Sequence, residues 1–196
     1  SAPAMATDPA ITTHPVVDAA ARHIRDIAPY VAGKPVDELA REYGLDPATI
    51  VKLASNENPR GASPEVMKAV ARAVMEITRY PDSNGFTLKD AIAQRFAVDP
   101  SEIVLGNGSN DILELVTHAF LQPGDDVVYS QYAFVVYPLA TKARGARGIE
   151  VPATAFGHDL AAMRAAITDR TRIVFVATPN NPTGTWIAPA HMGGFV

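Results

Sequence analysis

The sequence contains no cysteine in its 196 residues. Disulfides, thiolate metal sites and a cysteine nucleophile are therefore excluded, and the composition fits a cytoplasmic protein. No apolar run approaches the roughly 18 residues that a membrane-spanning helix requires. The amino-terminal segment also lacks the basic region and the apolar core of a secretory signal, and we interpret residues 1–13 as a disordered leader.

An excess of positive charge is missing as well. The formal net charge is −4, from 17 Lys and Arg against 21 Asp and Glu, and the basic residues are dispersed among acidic ones without forming a stripe. We therefore expect neither nucleic acid nor an anionic membrane as a partner. The five histidines show no metal-ligand spacing and no paired nucleophile. The sequence thus predicts no metal site.

The stretch from Ile103 to Leu121 combines an apolar run, a glycine turn and a helical pattern. Residues 103–105 are typical of a buried strand, Gly-Asn-Gly follows at 106–108, and Ser109 or Asn110 can cap the next helix. Free backbone N–H groups and the positive end of the helix dipole would then point at one spot, which attracts a phosphate. The alternative is an ordinary strand-to-helix connection with a good cap.

Two familiar phosphate motifs are absent from this stretch. The dinucleotide fingerprint needs a third glycine where Asp111 stands, and an acid after the next strand, where Ser130 and Gln131 stand. The P-loop needs Gly-Lys followed by Ser or Thr, and no such run follows the strand. A phosphate held here would therefore belong to neither a dinucleotide nor a nucleoside triphosphate.

Apolar periodicity predicts the remaining elements of the chain. Strands are expected at 51–53, 126–130, 148–152 and 172–177, and helices at 15–27, at 37–43, after Ser63, after a Thr87 cap, at 132–143 and at 159–167. The helix after Ser63 has an apolar stripe, which we expect to be buried, at Val66, Val70, Val74 and Ile77. Strands and helices alternate from Ile103 onward. This order predicts an α/β fold with a parallel sheet, right-handed crossovers and helices on both faces.

Three loops should share one rim of that sheet. They are the glycine turn after Leu105, the aromatic segment after Ser130, and residues 178–185, Thr-Pro-Asn-Asn-Pro-Thr-Gly-Thr. Ligands of open parallel sheets bind beyond the carboxyl ends of the strands. The rim is therefore a candidate binding site, although strand-to-helix loops are polar in many proteins without a ligand.

Four motifs in this order resemble the fold-type I aminotransferases, which use pyridoxal 5′-phosphate. They are Leu-Ala-Ser-Asn-Glu-Asn-Pro at 53–59, Arg-Tyr-Pro at 79–81, Gly-Asn-Gly-Ser-Asn at 106–110 and Pro-Asn-Asn-Pro-Thr-Gly at 179–184. The resemblance covers roughly residues 15–190. The last two motifs carry the likeness to the superfamily, and the first two narrow it toward the histidinol-phosphate group.

The resemblance implies a cofactor site. Gly108, Ser109 and Asn110 would hold the cofactor phosphate, Phe134 would lie against the pyridine ring, and Asn181 would donate to the phenolic oxygen. We prefer Phe134 over the nearby Tyr132 for the ring contact. Each residue has a simpler interpretation: Phe134 and Tyr137 could be core residues at helical spacing, and Asn-Pro is a common turn pair.

The resemblance also implies a substrate site and a second subunit. Asn56 would handle the substrate carboxylate or its surroundings, and Tyr30 in the amino-terminal arm would close over the substrate. Tyr80 would reach the cofactor phosphate of a neighbouring subunit, which implies a homodimer, although Tyr-Pro can simply end a helix. Glu57 is interpreted as a structural carboxylate. The implied segments are a leader at 1–13, an arm with part of the small domain at 14–80, and an incomplete large domain at 81–196.

The implied reaction moves an amino group between L-histidinol phosphate and 2-oxoglutarate in histidine biosynthesis. The family's Schiff-base lysine, its pyridine-pairing aspartate and its substrate arginine lie well beyond the Asn-Pro loop, and no lysine here occupies the catalytic position. We therefore interpret the chain as the amino-terminal half of an aminotransferase, from a truncated gene product, a frameshift or an excised piece, and expect it to be inactive alone. The alternatives are another fold-type I enzyme, such as an aromatic aminotransferase or a phospho-amino-acid decarboxylase, and a non-catalytic cofactor-binding or dimerisation fragment. The lysines are Lys34, Lys52, Lys68, Lys89 and Lys142.

Overall fold

The computed structural model describes residues 15–30, 33–53 and 55–195. The predicted leader at 1–13 lies outside them. The described residues form two compact units: a sheet unit of residues 15–29 and 106–195, and a helical unit within residues 30–105. The predicted boundary between residues 80 and 81 falls inside the helical unit, and the assignment of segments to a small and a large domain stays a prediction.

The sheet unit is built on three parallel strands in the order β2-β1-β3. The strands are β1 Asp126–Ser130, β2 Arg147–Val151 and β3 Thr171–Val174. All five residues of β1 are buried, as expected for a central strand covered on both faces. Strand β3 ends earlier than the predicted residue 177, although the Phe175 N–H still donates to the Val128 carbonyl at 2.9 Å.

The helices of the two units follow the chain in a simple order. They are α1 Pro15–Asp18, α2 Arg22–Arg25, α3 Val36–Tyr43, α4 Pro64–Val74, α5 Phe86–Phe96, α6 Gly108–Phe120, α7 Val136–Ala143, α8 Leu160–Ala165 and α9 Pro189–Gly193. The single helix predicted over residues 15–27 is therefore two short helices. None of the helices in the described ranges is both long and apolar enough to cross a bilayer.

Two apolar clusters cover the two faces of the sheet, because neighbouring residues of a strand point to opposite sides. One cluster joins Val127 and Tyr129 of β1 to Tyr137 of α7, with residues of α6 packed against it. The other joins Val128 to Met163 of α8, and both of these side chains are fully buried. The predicted parallel sheet with helices on both faces is thus confirmed.

The carboxylate of Asp126 holds the three strands together where they begin. Asp126 is 1% exposed, and Arg147 of β2 donates to it twice, from Nε at 2.9 Å and from Nη2 at 2.7 Å. Arg170, directly before β3, lies 3.5 Å away, and the Thr168 hydroxyl donates to the same carboxylate at 3.3 Å. Arg147 holds the pKa of Asp126 below its usual value through these hydrogen bonds and through its charge. The register of all three strands is therefore tied to one buried charge.

The helical unit confirms two predicted helix ends and corrects a third. Gly44 ends α3 in the left-handed conformation, with φ of 64°, and the Ser63 hydroxyl caps α4 by accepting from the Val66 N–H. The predicted Thr87 cap is wrong. Helix α5 begins at Phe86 after Gly85, because the Asp82 carboxylate accepts from the Phe86 N–H at 2.8 Å.

Three further expectations fail in this unit. The stripe of α4 that was expected to be buried is about half exposed among the described residues. Residues 51–53 and 103–105 form no strand, since a strand needs a partner and the sheet in the described part of the chain contains only β1, β2 and β3. Val104 accordingly stays 70% exposed.

We predict that Asp126→Asn lowers the unfolding temperature at pH 7 by several degrees, because the arginines lose their charged partner. The pKa of Asp126 is depressed in the folded state. Its stabilisation is therefore complete above the unfolded-state pKa of about 3.9 and is lost as the pH falls through the lower folded-state pKa. Thermal unfolding from pH 7 down to about pH 2 should show a shallower acid loss in the variant.

The exposed Asp169, which lies just before β3, provides the control. Asp169→Asn should leave both the unfolding temperature and its acid dependence close to the wild type. Identical acid dependence in wild type and Asp126→Asn would contradict the role given to this carboxylate.

Candidate functional site

The loops that follow the three strands are joined by hydrogen bonds at the carboxyl edge of the sheet. Since the strands are parallel, Ser130, Val151 and Val174 end them at the same edge. The Gln131 N–H donates to the Val151 carbonyl at 2.8 Å, and the Gln131 side-chain oxygen accepts from the Ala153 N–H at 3.3 Å. The loops after β1 and β2 are thus held together by one glutamine.

Asn180 joins the loop after β3 to the loop after β1. Its side-chain amide donates to the Tyr132 carbonyl at 2.9 Å and to the Thr183 hydroxyl at 2.8 Å. Its own backbone is paired with Thr185 and Gly184, and the residue is 4% exposed. Its Oδ1 is buried without a hydrogen-bond partner among the described residues, and a bound ligand or water commonly satisfies such an atom.

The sequence reasoning passed over Asn180 in favour of its neighbour Asn181. Both residues stand in the same motif, and nothing in the sequence says which one faces the interior. Only the hydrogen bond to Tyr132, 48 residues away along the chain, distinguishes them. Asn181 is half-buried, so its side chain keeps the access to a ligand that Asn180 lacks.

Phe134 is held at the same edge by a series of aromatic contacts. Its ring meets Tyr137 edge to face, with centroids 6.0 Å apart, and Tyr137 stacks on Phe175 at 4.3 Å. Tyr137 and Phe175 are buried, whereas Phe134 is half-buried and packs against their cluster. Burial raises the pKa of the Tyr137 hydroxyl, which therefore stays neutral. Phe134 thus combines a fixed position with free surface, as a ring-binding residue requires.

Helix α6 begins at this edge of the sheet. Its 13 residues span about 20 Å, similar to the length of β1, about 17 Å for five residues. A short connection leads from the end of α6 at Phe120 to the start of β1 at Asp126. The first turn of α6 must then return to the carboxyl edge.

The first turn of α6 offers N–H groups to an anion. The helix begins at Gly108 after Asn107, so the predicted caps Ser109 and Asn110 lie inside it, and the Asn107 side chain makes no capping hydrogen bond. Their N–H groups have no acceptor within the helix. Gly108 has φ of +78°, which favours glycine, and a Cβ there would meet nothing within 4 Å. The turn therefore has both free donors and open space.

The structure brings some of the predicted site residues together and leaves others in the helical unit. Ser109, Phe134 and Asn181 lie on elements of the sheet unit that meet at its carboxyl edge. Tyr30, Asn56 and Tyr80 belong to the helical unit, where all three are exposed, Tyr80 completely. Beside Asn56, the Glu57 carboxylate pairs with the Lys52 amine at 3.0 Å, in agreement with a structural role for Glu57. The functions of these residues remain predictions.

Comparison with known proteins identifies the family. The sequence pattern of the family described as aminotransferase class I and II matches residues 48–193. The chain therefore belongs to the class I and II aminotransferases.

Curated relatives are more specific in name. Histidinol-phosphate aminotransferase 2 of Pseudomonas aeruginosa is 63% identical over 173 residues, which are 88% of this chain and 47% of that protein. Histidinol-phosphate aminotransferase of Methylobacillus flagellatus is 56% identical over 179 residues, 91% of this chain and 48% of that protein. The chain thus spans about half the length of the curated relatives it matches.

Solved structures share the fold. Histidinol-phosphate aminotransferase from Sinorhizobium meliloti, solved in complex with pyridoxal-5′-phosphate, superposes with a TM-score of 0.79 at 24% identity, over 95% of this chain and 48% of that one. N-succinyldiaminopimelate aminotransferase from Mycobacterium tuberculosis gives 0.68 at 26% identity, over 79% of this chain and 42% of that one. The described residues therefore have part of the fold-type I architecture, as the resemblance implied.

We predict that Asn180→Ala destabilises the sheet unit by about 1–3 kcal/mol, because two buried hydrogen bonds are lost and the Tyr132 carbonyl loses its donor. Urea unfolding followed by the fluorescence of Trp186, the single tryptophan, measures the change. The exposed Asn84, which uses only its backbone N–H in a hydrogen bond to Asp82, gives the control variant Asn84→Ala. Equal stability of the two variants would show that Asn180 does not hold the loops together.

Proposed function

We propose that this chain forms the cofactor-binding part of a pyridoxal 5′-phosphate-dependent aminotransferase that acts on L-histidinol phosphate and 2-oxoglutarate. The observation that carries the proposal is the meeting, at one sheet edge, of the uncapped first turn of α6, the half-buried ring of Phe134 and the Asn-Pro loop. The names of the curated relatives support the substrate, and one neighbour was solved with this cofactor.

The residues at the edge fit the chemical parts of this cofactor. The N–H groups of Ser109 and Asn110, with the Ser109 hydroxyl, are suited to a phosphate dianion, because they add to the positive end of the α6 dipole. Phe134 offers a face to the pyridine ring, a contact worth about 0.5–1.5 kcal/mol beyond burial, and Asn181 offers an amide donor to the phenolic oxygen. When bound, the cofactor supplies an electron sink for the substrate carbon.

No lysine of the sheet unit lies near this edge. Lys142 is the only lysine among residues 106–195, and it belongs to the last turn of α7, which runs back toward the start of β2. Its amine donates to the Asp26 carbonyl. A transaminase needs a lysine amine that serves as both nucleophile and proton carrier. We therefore propose that this chain binds the cofactor without transferring amino groups by itself.

The remaining roles belong to the complete enzyme and to the same proposal. Tyr80 is fully exposed, as a residue that reaches the cofactor phosphate of a second subunit in a homodimer would be. Asn56 and Tyr30 would serve the substrate from the helical unit. Soluble amino acids and 2-oxo acids as substrates favour a cytoplasmic location.

A second candidate function is a non-catalytic module that binds the cofactor and dimerises. The position of Lys142 away from the candidate site favours it for this chain. The two candidates differ in whether any amine reacts with the cofactor aldehyde.

We predict that the chain binds pyridoxal 5′-phosphate more tightly than pyridoxal, because only the former engages the first turn of α6. Ser109→Ala should weaken phosphate-ester binding about tenfold, the equivalent of 1.4 kcal/mol, and leave pyridoxal binding unchanged. Equilibrium dialysis of both ligands measures this. The control is Ser83→Ala in an exposed turn of the helical unit. Equal affinity of the wild type for the two ligands would refute a phosphate site at α6.

We also predict that borohydride reduction in the presence of pyridoxal 5′-phosphate labels no single lysine to saturation. Peptide mapping of the reduced chain should give low, unsaturated labelling spread over exposed amines. Lys142→Arg should leave the pattern at the other lysines unchanged. One lysine that is labelled stoichiometrically, and is protected by competing inorganic phosphate, would contradict the non-catalytic role.

A further inference from the structure

The connection between β2 and α8 contains a strained turn. In residues 154–157, the Thr154 N–H donates to the Gly157 carbonyl at 3.2 Å, and the Gly157 N–H donates to the Thr154 carbonyl at 2.9 Å. The two central residues, Ala155 and Phe156, have φ of 48° and 62°. Turns with two positive φ values strongly favour glycine and asparagine, because a Cβ clashes in this conformation. Such strain persists where surrounding contacts fix it, frequently beside ligand sites.

Phe156 makes the contacts that fix this turn, and they lead to the candidate site. Its ring lies 5.3 Å from the ring of Tyr132, tilted by 38°. Its carbonyl accepts from the Thr185 hydroxyl at 3.3 Å. One residue thus contacts the loop after β1 through its ring and the Asn-Pro loop through its backbone.

Apolar burial does not explain the Phe156 side chain. The residue is 64% exposed, and Tyr132 is 40% exposed. A ring so placed gains little from removal from water, yet it occupies a backbone position that any other turn-forming residue would hold with less strain. What it does contact is Tyr132, whose carbonyl is already held by Asn180, two residues before Phe134.

We propose that Phe156 is a positioning residue for the cofactor ring, an inference that rests on the proposed function. The strained turn presses the Phe156 ring onto Tyr132, while Asn180 holds the Tyr132 backbone. Together they fix the loop from which Phe134 projects. Phe156 acts through Tyr132 and leaves the α6 phosphate site independent. Its effect is therefore specific to the ring of the ligand.

The test compares Phe156→Ala with Phe156→Tyr, which keeps the ring, and with Phe120→Ala. Phe120 is also 64% exposed but ends α6 at the opposite edge of the sheet. Phe156→Ala should weaken pyridoxal 5′-phosphate and pyridoxal by the same factor, about fivefold, in equilibrium dialysis. The ratio of the two affinities should stay that of the wild type. Phe156→Tyr should restore both to within about twofold, and Phe120→Ala should change neither.

A second measurement needs no cofactor. Hydrogen exchange of the amides at residues 131–135 should be faster in Phe156→Ala than in the wild type, and unchanged in Phe120→Ala. Wild-type exchange at these amides in Phe156→Ala, or undiminished pyridoxal affinity, would overturn the inference while the proposed function stands. A loss confined to the phosphate ester would also overturn it. Failure of the wild type to bind either ligand would overturn the proposed function and the positioning role with it.

Discussion

The buried carboxylate of Asp126 is the constraint on which the geometry of the sheet unit depends. A buried carboxylate is costly unless its partners are close and well oriented, and here they come from the first residue of β2 and from the turn before β3. Any slip in strand register would separate the charges. The amino ends of the strands are therefore aligned by electrostatics, and their carboxyl ends are aligned as a result.

The two edges of the sheet consequently have different chemistry. The amino edge concentrates charged side chains that neutralise one another. The carboxyl edge is held by neutral hydrogen bonds through Gln131 and Asn180 and by aromatic contacts. At the carboxyl edge the main fixed source of positive potential is the start of α6. An anionic group that approaches this edge meets backbone dipoles with no arginine competing for it from the neighbouring loops.

Local sequence patterns predicted the elements whose burial is complete, and failed where structure depends on distant partners. Strand β1 was predicted well because its apolar run is covered on both faces. Residues 103–105 have an equally apolar run but no neighbouring strand in the described part of the chain, so they stay extended and unpaired. The Thr87 cap failed because Asp82, five residues earlier, captured the helix start.

The same limit applies to the candidate site. Motifs pointed to Ser109 and Asn181 because glycine turns and Asn-Pro loops are local signals. Asn180 and Phe156 were missed, since their roles arise from contacts with Tyr132 that span 48 and 24 positions. A phenylalanine with positive φ cannot be recognised in a sequence. It becomes visible only when its backbone and its ring contact are both known.

The division into units has a consequence for how the polypeptide matures during synthesis. Residues 15–29 belong to the sheet unit although the whole helical unit lies between them and α6. The Asp26 carbonyl meets its partner Lys142 across a separation of 116 residues. As the ribosome releases the chain, α1 and α2 must therefore wait until α7 has emerged. Throughout that interval their apolar side chains are available to chaperones.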